Sequence, residues 1–368
     1  MPTNSAAWLI APKAKLLEVK SAPYTSPREN EIVIKNGAVA INPVDWIIPD
    51  MGKFMFSWLQ YPCILGFDNA GEVVEIGPGV TRFKVGDRVL GHANGTDKNC
   101  NSTSHGGFQS YTVLLVNAAS PIPNTMSYES AAVLPLCAST AACGLFEKDQ
   151  LGLQHPSASA SPTGKTLLIW GGSSSVGCNA IQLAVAAGYE VITTCSPKNF
   201  PLLKKLGASQ AFDYNSKTVV KDIIDAFEGK TTAGALSIGP RSAENCLDVL
   251  DKCKGTKHIA MASFPVPQRP PERFALLSLA AAGISGMANI WVKSKTRGIR
   301  TSFILGSSLL YNEVGKAIYV DFLPRALAEG TYVAAPEPQV VGKGLEFIQT
   351  GFDVQRKGVS ARKIVVSL

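Results

Sequence analysis

The chain is predicted to be an α/β protein in which a doubly wound parallel sheet is joined to a smaller β-rich domain. Three observations predict it. Residues 165–261 alternate short apolar strands with helices. Residues before about 135 read as short strands punctuated by Gly and Pro. The 368 residues correspond to two domains at about 150 residues each.

In the β-rich part, Glu31–Ala40 (EIVIKNGAVA) alternates and is rich in Val and Ile, and Asn69–Ile76 reads as a second strand. Gly77-Pro78-Gly79 turns the chain, Val85–Val89 begins the next strand, and Gln109–Val116 follows Gly106-Gly107. Such punctuation suits a small barrel-like β domain. The grammar changes near residue 126, where Tyr128–Pro135 and Ser139–Glu147 look helical. Gln154–Gly164 reads as an exposed Ser/Pro/Gly/Ala insertion. Then come the buried strand Lys165–Trp170, the loop 171–177, an Ala-rich helix to Ala187 and the strand Glu190–Cys195. Helix Phe200–Leu206 stops at Gly207. Strands Gln210–Asp213, Ala235–Ile238 and Lys257–Met261 alternate with helices Val219–Phe227 and Ala243–Leu250, which predicts a parallel sheet. In the tail, Asp321–Glu329 and Val340–Thr350 read as helices and Lys363–Ser367 as a closing strand.

Composition narrows the function. Hydrophobic residues make up 46% and charged residues 17%, which provides for a packed core and excludes a disordered chain. The net charge of +7 is scattered, which argues against a nucleic-acid surface. The eight cysteines include no C-x-x-C pair, so they read as buried free thiols in a reducing compartment, and the expected location is cytoplasmic. The N-terminus lacks the order of a signal peptide. The most apolar stretch, Phe274–Ile290, falls short of the roughly 20 residues of a membrane span and reads as a buried helix and loop, so no membrane partner is expected.

Residues 165–195 have the length of one βαβ unit. Its loop, Gly171-Gly172-Ser173-Ser174-Ser175-Val176-Gly177, reads G-x-x-S-x-x-G, with Ser174 where a middle glycine often sits. Small residues let a backbone approach a pyrophosphate, and the helix N-terminus supplies N–H groups and partial positive charge. The alternative is a plain tight βα turn. An NAD-selective site places an acid at the end of the second strand. Here Ser196-Pro197-Lys198-Asn199 contains no acid, and Lys198 could receive the extra phosphate of NADPH or be an ordinary solvated lysine. Tyr214 either flanks the adenosine end or packs on the surface.

Further motifs are Ala40-Ile41-Asn42-Pro43-Val44-Asp45, Leu65-Gly66-Phe67-Asp68-Asn69-Ala70-Gly71-Glu72-Val73-Val74, Val85-Gly86-Asp87-Arg88-Val89, Gly107-Phe108-Gln109-Ser110-Tyr111 and Gly358-Val359-Ser360-Ala361-Arg362-Lys363. With the loop 171–177, their order and spacing resemble the medium-chain dehydrogenase/reductase superfamily. The chain is most similar to the zinc-free branch, the quinone oxidoreductases and fungal trans-acting enoyl reductases. The resemblance implies a GroES-like substrate domain over 1–130 completed by 320–368, and a Rossmann NADPH-binding domain over 131–319. Zinc-dependent relatives place Cys where Asn42 stands, His-Glu at Phe67-Asp68 and Cys at about Leu136. Asn, Phe and Leu do not make that site, Cys137 is one position off without partners, and no metal is expected. Around 97–105, where such relatives carry a four-cysteine lobe, only Cys100 and His105 could ligate.

The resemblance further implies hydride transfer from NADPH to an activated C=C bond of an enone, enoyl thioester or quinone, with negative charge growing on the carbonyl oxygen. It places the nicotinamide near Val44, Asp45, Trp46 and Ile47, near Cys137–Gly144 and near Phe303, Ile304, Leu305 and Gly306. Ala262 and Ser263 touch the cofactor, and Ser360 and Ala361 close over it. The substrate would meet Phe67, Cys137, Ala138, Ser139, Thr140, Phe303 and Gly306. Ser139 and Thr140 are candidate donors, Asp45 either anchors its loop or acts chemically, and the histidines carry no assigned role. The substrate could be carrier-bound, and the chain a monomer or a homodimer paired through an edge strand at Ser302–Leu310. A zinc-independent alcohol or carbonyl dehydrogenase and a non-catalytic NADPH-binding module are the alternatives. The loop 263–273, with Pro265, Pro267, Pro270 and Pro271, reads as a substrate rim or a plain excursion.

Overall fold

The computed structural model describes residues 2–157, 160–264 and 275–368, with the backbone alone for 275–280. The chain divides into two compact units, Met1–Ser139 with Leu310–Leu368, and Thr140–Leu309. The first limit falls within the helix Pro135–Phe146, where no change of composition marks it.

The first unit is GroES-like. Strands Glu337–Lys343, Arg362–Ser367, Glu31–Ala40, Asp68–Ile76, Arg88–His92 and Ala119–Pro121 lie side by side in that order, and Tyr111–Leu115 also pairs with Glu31–Ala40. All these pairings are antiparallel except that of Glu337–Lys343 with Arg362–Ser367. Strand Glu31–Ala40 is buried along almost its whole length because it has neighbours on both edges. Gly71 permits one close approach: a Cβ there would lie 2.1 Å from the Lys35 carbonyl oxygen of the next strand. The core collects Leu9, Ile41, Ile48, Leu65, Phe108 and Phe352. Each such side chain contributes about 1.5–3 kcal/mol by leaving water.

The second unit carries the parallel sheet of a Rossmann domain. Its order is Gln210–Asp213, Glu190–Cys195, Lys165–Trp170, Thr231–Ser237, His258–Met261 and Arg300–Phe303. Order reverses beside Lys165–Trp170, the place where such sheets open a ligand crevice at their carboxyl ends. Helices Ser175–Ala186, Phe200–Lys205, Val219–Ala226 and Ser242–Lys252 connect the strands.

Several sequence expectations are corrected. Residues 340–343 are strand, not helix, and pair in parallel with Arg362–Ser367. The helix starts at Ile348, after Gly344 at φ 106° has ended the strand run. Phe274–Ile290 was expected to be buried. Residues Ala275–Arg297 instead form one helix on which Ile284 is 72% and Trp291 62% exposed. Lys293 and Arg297 anchor that helix to Asp248 at 3.1 and 2.5 Å. The edge strand is Arg300–Phe303 and does not extend to Leu310. Val44–Ile47 lie on a helix, Pro43–Met51, rather than in a loop. Asp321–Glu329 becomes a π-helical stretch, Ala317–Phe322, followed by the helix Leu323–Ala328. The helical stretch Tyr128–Phe146 is long and apolar enough to cross a membrane by length and composition, yet 78% of its apolar 18-residue window is buried inside the protein, as in a core segment. The Pro-rich segment 265–274 lies outside the described residues.

Candidate active site

Two clusters of site residues form, one in each unit. In the first unit the organising group is the Asp68 carboxylate, fully buried at the start of its strand. Antiparallel register sets it across from His92 on one side and Ala40 on the other. Two residues past Ala40, Asn42 stands before the helix Pro43–Met51, whose Pro43 arrives with its φ already helical. The Asn42 backbone N–H donates to Asp45 Oδ2 at 2.7 Å, which satisfies one of the donors a helix start leaves over. The Asn42 side-chain amide donates to Asp68 Oδ2 at 2.8 Å, and the Leu136 N–H donates to Asp68 Oδ1 at 2.5 Å. The single carboxylate thereby fixes the beginnings of both helices that carry sequence-predicted site residues.

Charge balance comes from the C-terminal strand. Val365 pairs with Ala40, and the Ile41 N–H donates to the Ile364 carbonyl at 2.9 Å. Continued by one step, that register brings Lys363 opposite Asn42. The Lys363 ammonium donates to Asp68 Oδ2 at 2.8 Å, to Cys137 Sγ at 3.3 Å and to Asn42 Oδ1. An ammonium has three protons, and all three are taken. Burial opposes the Lys363 charge, but the Asp68 carboxylate, and after it Cys137, outweighs burial and holds the group protonated beyond the ordinary lysine range. Cys137, expected to stand without partners, thus meets Lys363, and its thiol also lies 3.7 Å from Asn42 Oδ1. The helix starts at Pro135 rather than Ser139, so Cys137 lies in its first turn.

Asp45 is wholly buried and its Oδ1 has no hydrogen-bond partner. Burial pushes its carboxyl up to about 8, with the Asn42 N–H pulling it down and the charge of Asp68 adding to the rise. At neutral pH this favours the neutral carboxyl. Val44 packs against the core, and Trp46 is held by its indole N–H to Gln355 with Arg356 5.3 Å from its ring. Ile47 is partly buried on the same helix.

A second network starts at Ser139. Its hydroxyl lies 2.9 Å from His92 Nδ1 and 2.7 Å from the Tyr319 hydroxyl, which donates to the Pro135 carbonyl at 2.8 Å. Direction is forced from that end, because a carbonyl only accepts. Tyr319 spends its proton on Pro135, Ser139 must donate to Tyr319, and His92 must donate from Nδ1. His92 Nε2 is then a bare acceptor, and it is buried without a partner. Burial depresses the His92 imidazole to about 4, so it is neutral. Phe67 lies over it with ring centroids 6.1 Å apart. Ala138 is buried beside Ser139. Sequence reasoning missed Asp68 as a hub, Lys363, His92 and Tyr319. The first two stood inside quoted motifs, and the last two carried no signal. Ser360 is exposed, and Ala361, partly buried at φ 50°, turns the chain into the Lys363 strand.

In the second unit, strand ends gather at one edge of the sheet. Register aligns Trp170 with Ser237, Ser237 with Met261 and Met261 with Phe303. The elbow follows Trp170. Gly171 has φ 89°, and a Cβ on Gly172 would lie 2.1 Å from Thr193 Oγ1. The Gly171 N–H donates to Thr194 Oγ1 at 3.0 Å. Ser174 caps the helix Ser175–Ala186: its Oγ accepts from the Gly177 N–H at 3.0 Å and donates to the Gly171 carbonyl at 2.7 Å. Ser174 is therefore a cap rather than a stand-in for an approach glycine. The first helical N–H groups, from Ser175 and Val176, have no carbonyl within the helix to serve, and Ser173 is partly buried before them.

Across from the elbow, Ser196 Oγ donates to the Tyr214 hydroxyl at 3.2 Å. Pro197 and Lys198 are exposed in the turn Pro197–Asn199, and Asn199 is buried. The acid at the end of the neighbouring strand, Asp213, pairs in register with Cys195 but accepts from the Asn215 N–H at 3.0 Å within its own turn. The Ala262 N–H donates to the Ser237 carbonyl, Ser263 Oγ accepts from the Gly239 N–H at 2.9 Å, and Ile304 packs beside Gly144. Phe303 stacks on Phe264 with centroids 4.1 Å apart, and Leu305 is exposed ahead of Gly306. Thr140, on the helix Pro135–Phe146, is partly buried. This donor-rich, glycine-lined edge fits a dinucleotide.

The cluster around Lys363 does not fit zinc. Where a dication would meet Cys137 Sγ, Asn42 Oδ1 and Asp68 Oδ2, an ammonium already draws on all three. No group of three His, Cys, Asp or Glu side chains able to hold a metal occurs among the described residues.

Residues 28–124 match the family described as alcohol dehydrogenase GroES-like domain, and 175–293 match that described as zinc-binding dehydrogenase. The chain is 58% identical to the dehydrogenase pigH of Monascus ruber, covering all of both proteins. It is 37% identical to the trans-enoyl reductase himH of Aspergillus japonicus, over 99% of this chain and 97% of the relative. In fold it resembles an alcohol dehydrogenase superfamily protein of Novosphingobium aromaticivorans, with a TM-score of 0.74 at 21% identity over all of both chains.

Proposed function

The chain belongs to the medium-chain dehydrogenase/reductase superfamily of oxidoreductases, whose Rossmann fold binds a nicotinamide cofactor, and from that premise we propose that it is a metal-free NADPH-dependent reductase of activated C=C bonds. One observation carries the reading. Strand Glu190–Cys195 runs into Ser196-Pro197-Lys198-Asn199, a turn with a cation, a hydroxyl and no carboxylate, while Asp213 is engaged in its own turn. A carboxylate would repel a ribose phosphate, whereas Ser196 and Lys198 attract it. The name trans-enoyl reductase borne by himH, related over nearly the full length, supports an enone or enoyl thioester, free or carrier-bound, as the acceptor; a quinone is a further acceptor of the same electronic type.

When bound, NADPH supplies the hydride. The chain's own residues hold and orient the reactants. The Gly171–Val176 elbow offers N–H groups to the diphosphate, and Ala262 and Ser263 border the same sheet edge. Ser139, whose hydroxyl also meets Tyr319, and Thr140 are the hydroxyls that would donate to the enolate oxygen. Asp45 keeps its proton and serves the helix start, and solvent protonates the carbon. The eight free cysteines suit a reducing cytoplasm. The test is a turnover panel of enones, enoyl thioesters and quinones, run with Lys198→Ala. A lost charge-assisted bond is worth about 1.5–3 kcal/mol, so NADPH should bind roughly tenfold or more weakly, with NADH little changed. Equal loss for both dinucleotides, or binding without turnover across the panel, refutes the reading.

A further inference from the structure

We propose that the Lys363 ammonium is the resident cation of a metal-type cage formed by Cys137 Sγ, Asn42 Oδ1 and Asp68 Oδ2, and that taking away the lysine exposes a latent site for a thiophilic dication. The inference rests on the metal-free reading above and adds the group that makes the site metal-free. A thiol sulfur, an amide oxygen and a carboxylate oxygen from three separated segments converge on one nitrogen, at 3.3 Å for the sulfur and 2.8 Å for the carboxylate. All four side chains are buried. Sulfur with oxygen is a donor set that suits Zn²⁺ or Co²⁺ and disfavours Mg²⁺. Zinc–ligand distances of about 2.0–2.3 Å lie within reach once the ammonium and its four-carbon stem are gone. The fourth position would go to water.

The ammonium copies only part of a metal's chemistry. It neutralises Asp68 and gathers the three ligands, which ties strand Arg362–Ser367 to the starts of helices Pro43–Met51 and Pro135–Phe146. Its three protons are all used, so it does not reach a substrate oxygen. Lys363 is a positioning residue, and the charge developing on a substrate has to be met by other donors.

The experiment compares full-length wild type, Lys363→Ala and Lys363→Met. Wild type is expected to contain no stoichiometric zinc and to show no thiolate-to-cobalt absorption with Co²⁺. Lys363→Ala leaves a buried carboxylate without its partner and should melt roughly 5–10 °C lower. Co²⁺ or Zn²⁺, but not Mg²⁺, should restore most of that shift at about one equivalent, and Co²⁺ should give the thiolate absorption. Adding Cys137→Ala should abolish the band. Lys363→Met keeps the stem and should melt low without rescue. A folded Lys363→Ala that takes up no Co²⁺, beside a metal-free wild type, overturns this inference alone. One tightly held zinc per wild-type chain overturns the metal-free reading as well. If Lys363→Ala does not fold unaided, recovery of native circular dichroism on refolding with Co²⁺ supports the cage, and failure to recover overturns it.

Discussion

Tyr319→Phe removes one hydroxyl from the middle of the Pro135–Tyr319–Ser139–His92 chain, and its consequences follow from proton direction. The hydroxyl donates to the Pro135 carbonyl at 2.8 Å and accepts from Ser139 at 2.7 Å, and both Tyr319 and Ser139 are fully buried. Water does not replace the lost partner, so each stranded group costs about 1–3 kcal/mol. That bounds the loss at roughly 2–6 kcal/mol. One bond is recoverable. With Tyr319 gone, Ser139 can turn its proton to His92 Nδ1, provided His92 moves its own proton to Nε2. The net loss should then fall to about 2 kcal/mol, and the His92 tautomer should change. Urea unfolding at pH 7.5 reads the first quantity, and the two imidazole ¹⁵N shifts of His92 read the second. A wild-type His92 already protonated at Nε2, or a variant that loses less than about 0.5 kcal/mol with the tautomer unchanged, refutes the assignment of direction.

The remaining predictions concern pH and the elbow. Asp45 holds its proton to about 8 when folded, against about 3.9 unfolded, so its contribution is complete below pH 4 and is lost as pH rises to 8. At about 1.4 kcal/mol per unit the loss is on the order of several kcal/mol, and Asp45→Asn should flatten the melting temperature across that window; parallel profiles would contradict it. His92 has the opposite sign. Depressed to about 4, it contributes fully above pH 6.5 and loses that contribution toward pH 4, a slope that His92→Gln should reduce in acid titrations followed by circular dichroism. Ser174→Ala should cost about 1 kcal/mol as a lost cap. Ser174→Gly should leave dinucleotide binding unchanged or weaker; tighter binding would mean that the serine obstructs a phosphate. Gly172→Ala, with its new Cβ 2.1 Å from Thr193 Oγ1, should destabilise by about 1–3 kcal/mol.

What the sequence made legible was local. The elbow could be read because strand, turn and helix are contiguous within 165–195, and each step leaves a compositional mark: an apolar run, small residues, an Ala-rich helix. The doubly wound order follows from the same repetition. Val340–Thr350 misled because the end of a strand that contains Gly342 and stops before Gly344 runs in sequence into the helix Ile348–Lys357, and only pairing with Arg362–Ser367 separates them. Phe274–Ile290 misled because apolarity was taken for burial, whereas a helix held by Lys293 and Arg297 to Asp248 can leave Ile284 outside.

The Lys363 cluster shows why the remainder was hidden. Lys363 meets Asn42 across 321 positions, and Ser139 meets Tyr319 across 180. No periodicity joins such partners, because sheet register and the start of the helix at Pro135 alone bring them together. Cys137 sits in the first turn of that helix and accepts from the Lys363 ammonium at 3.3 Å, a contact that no local pattern announces. A sequence motif can therefore exclude zinc by the residues it lacks, yet what stands in zinc's place depends on long-range pairing that places a lysine near the end of the chain against an aspartate in its first fifth.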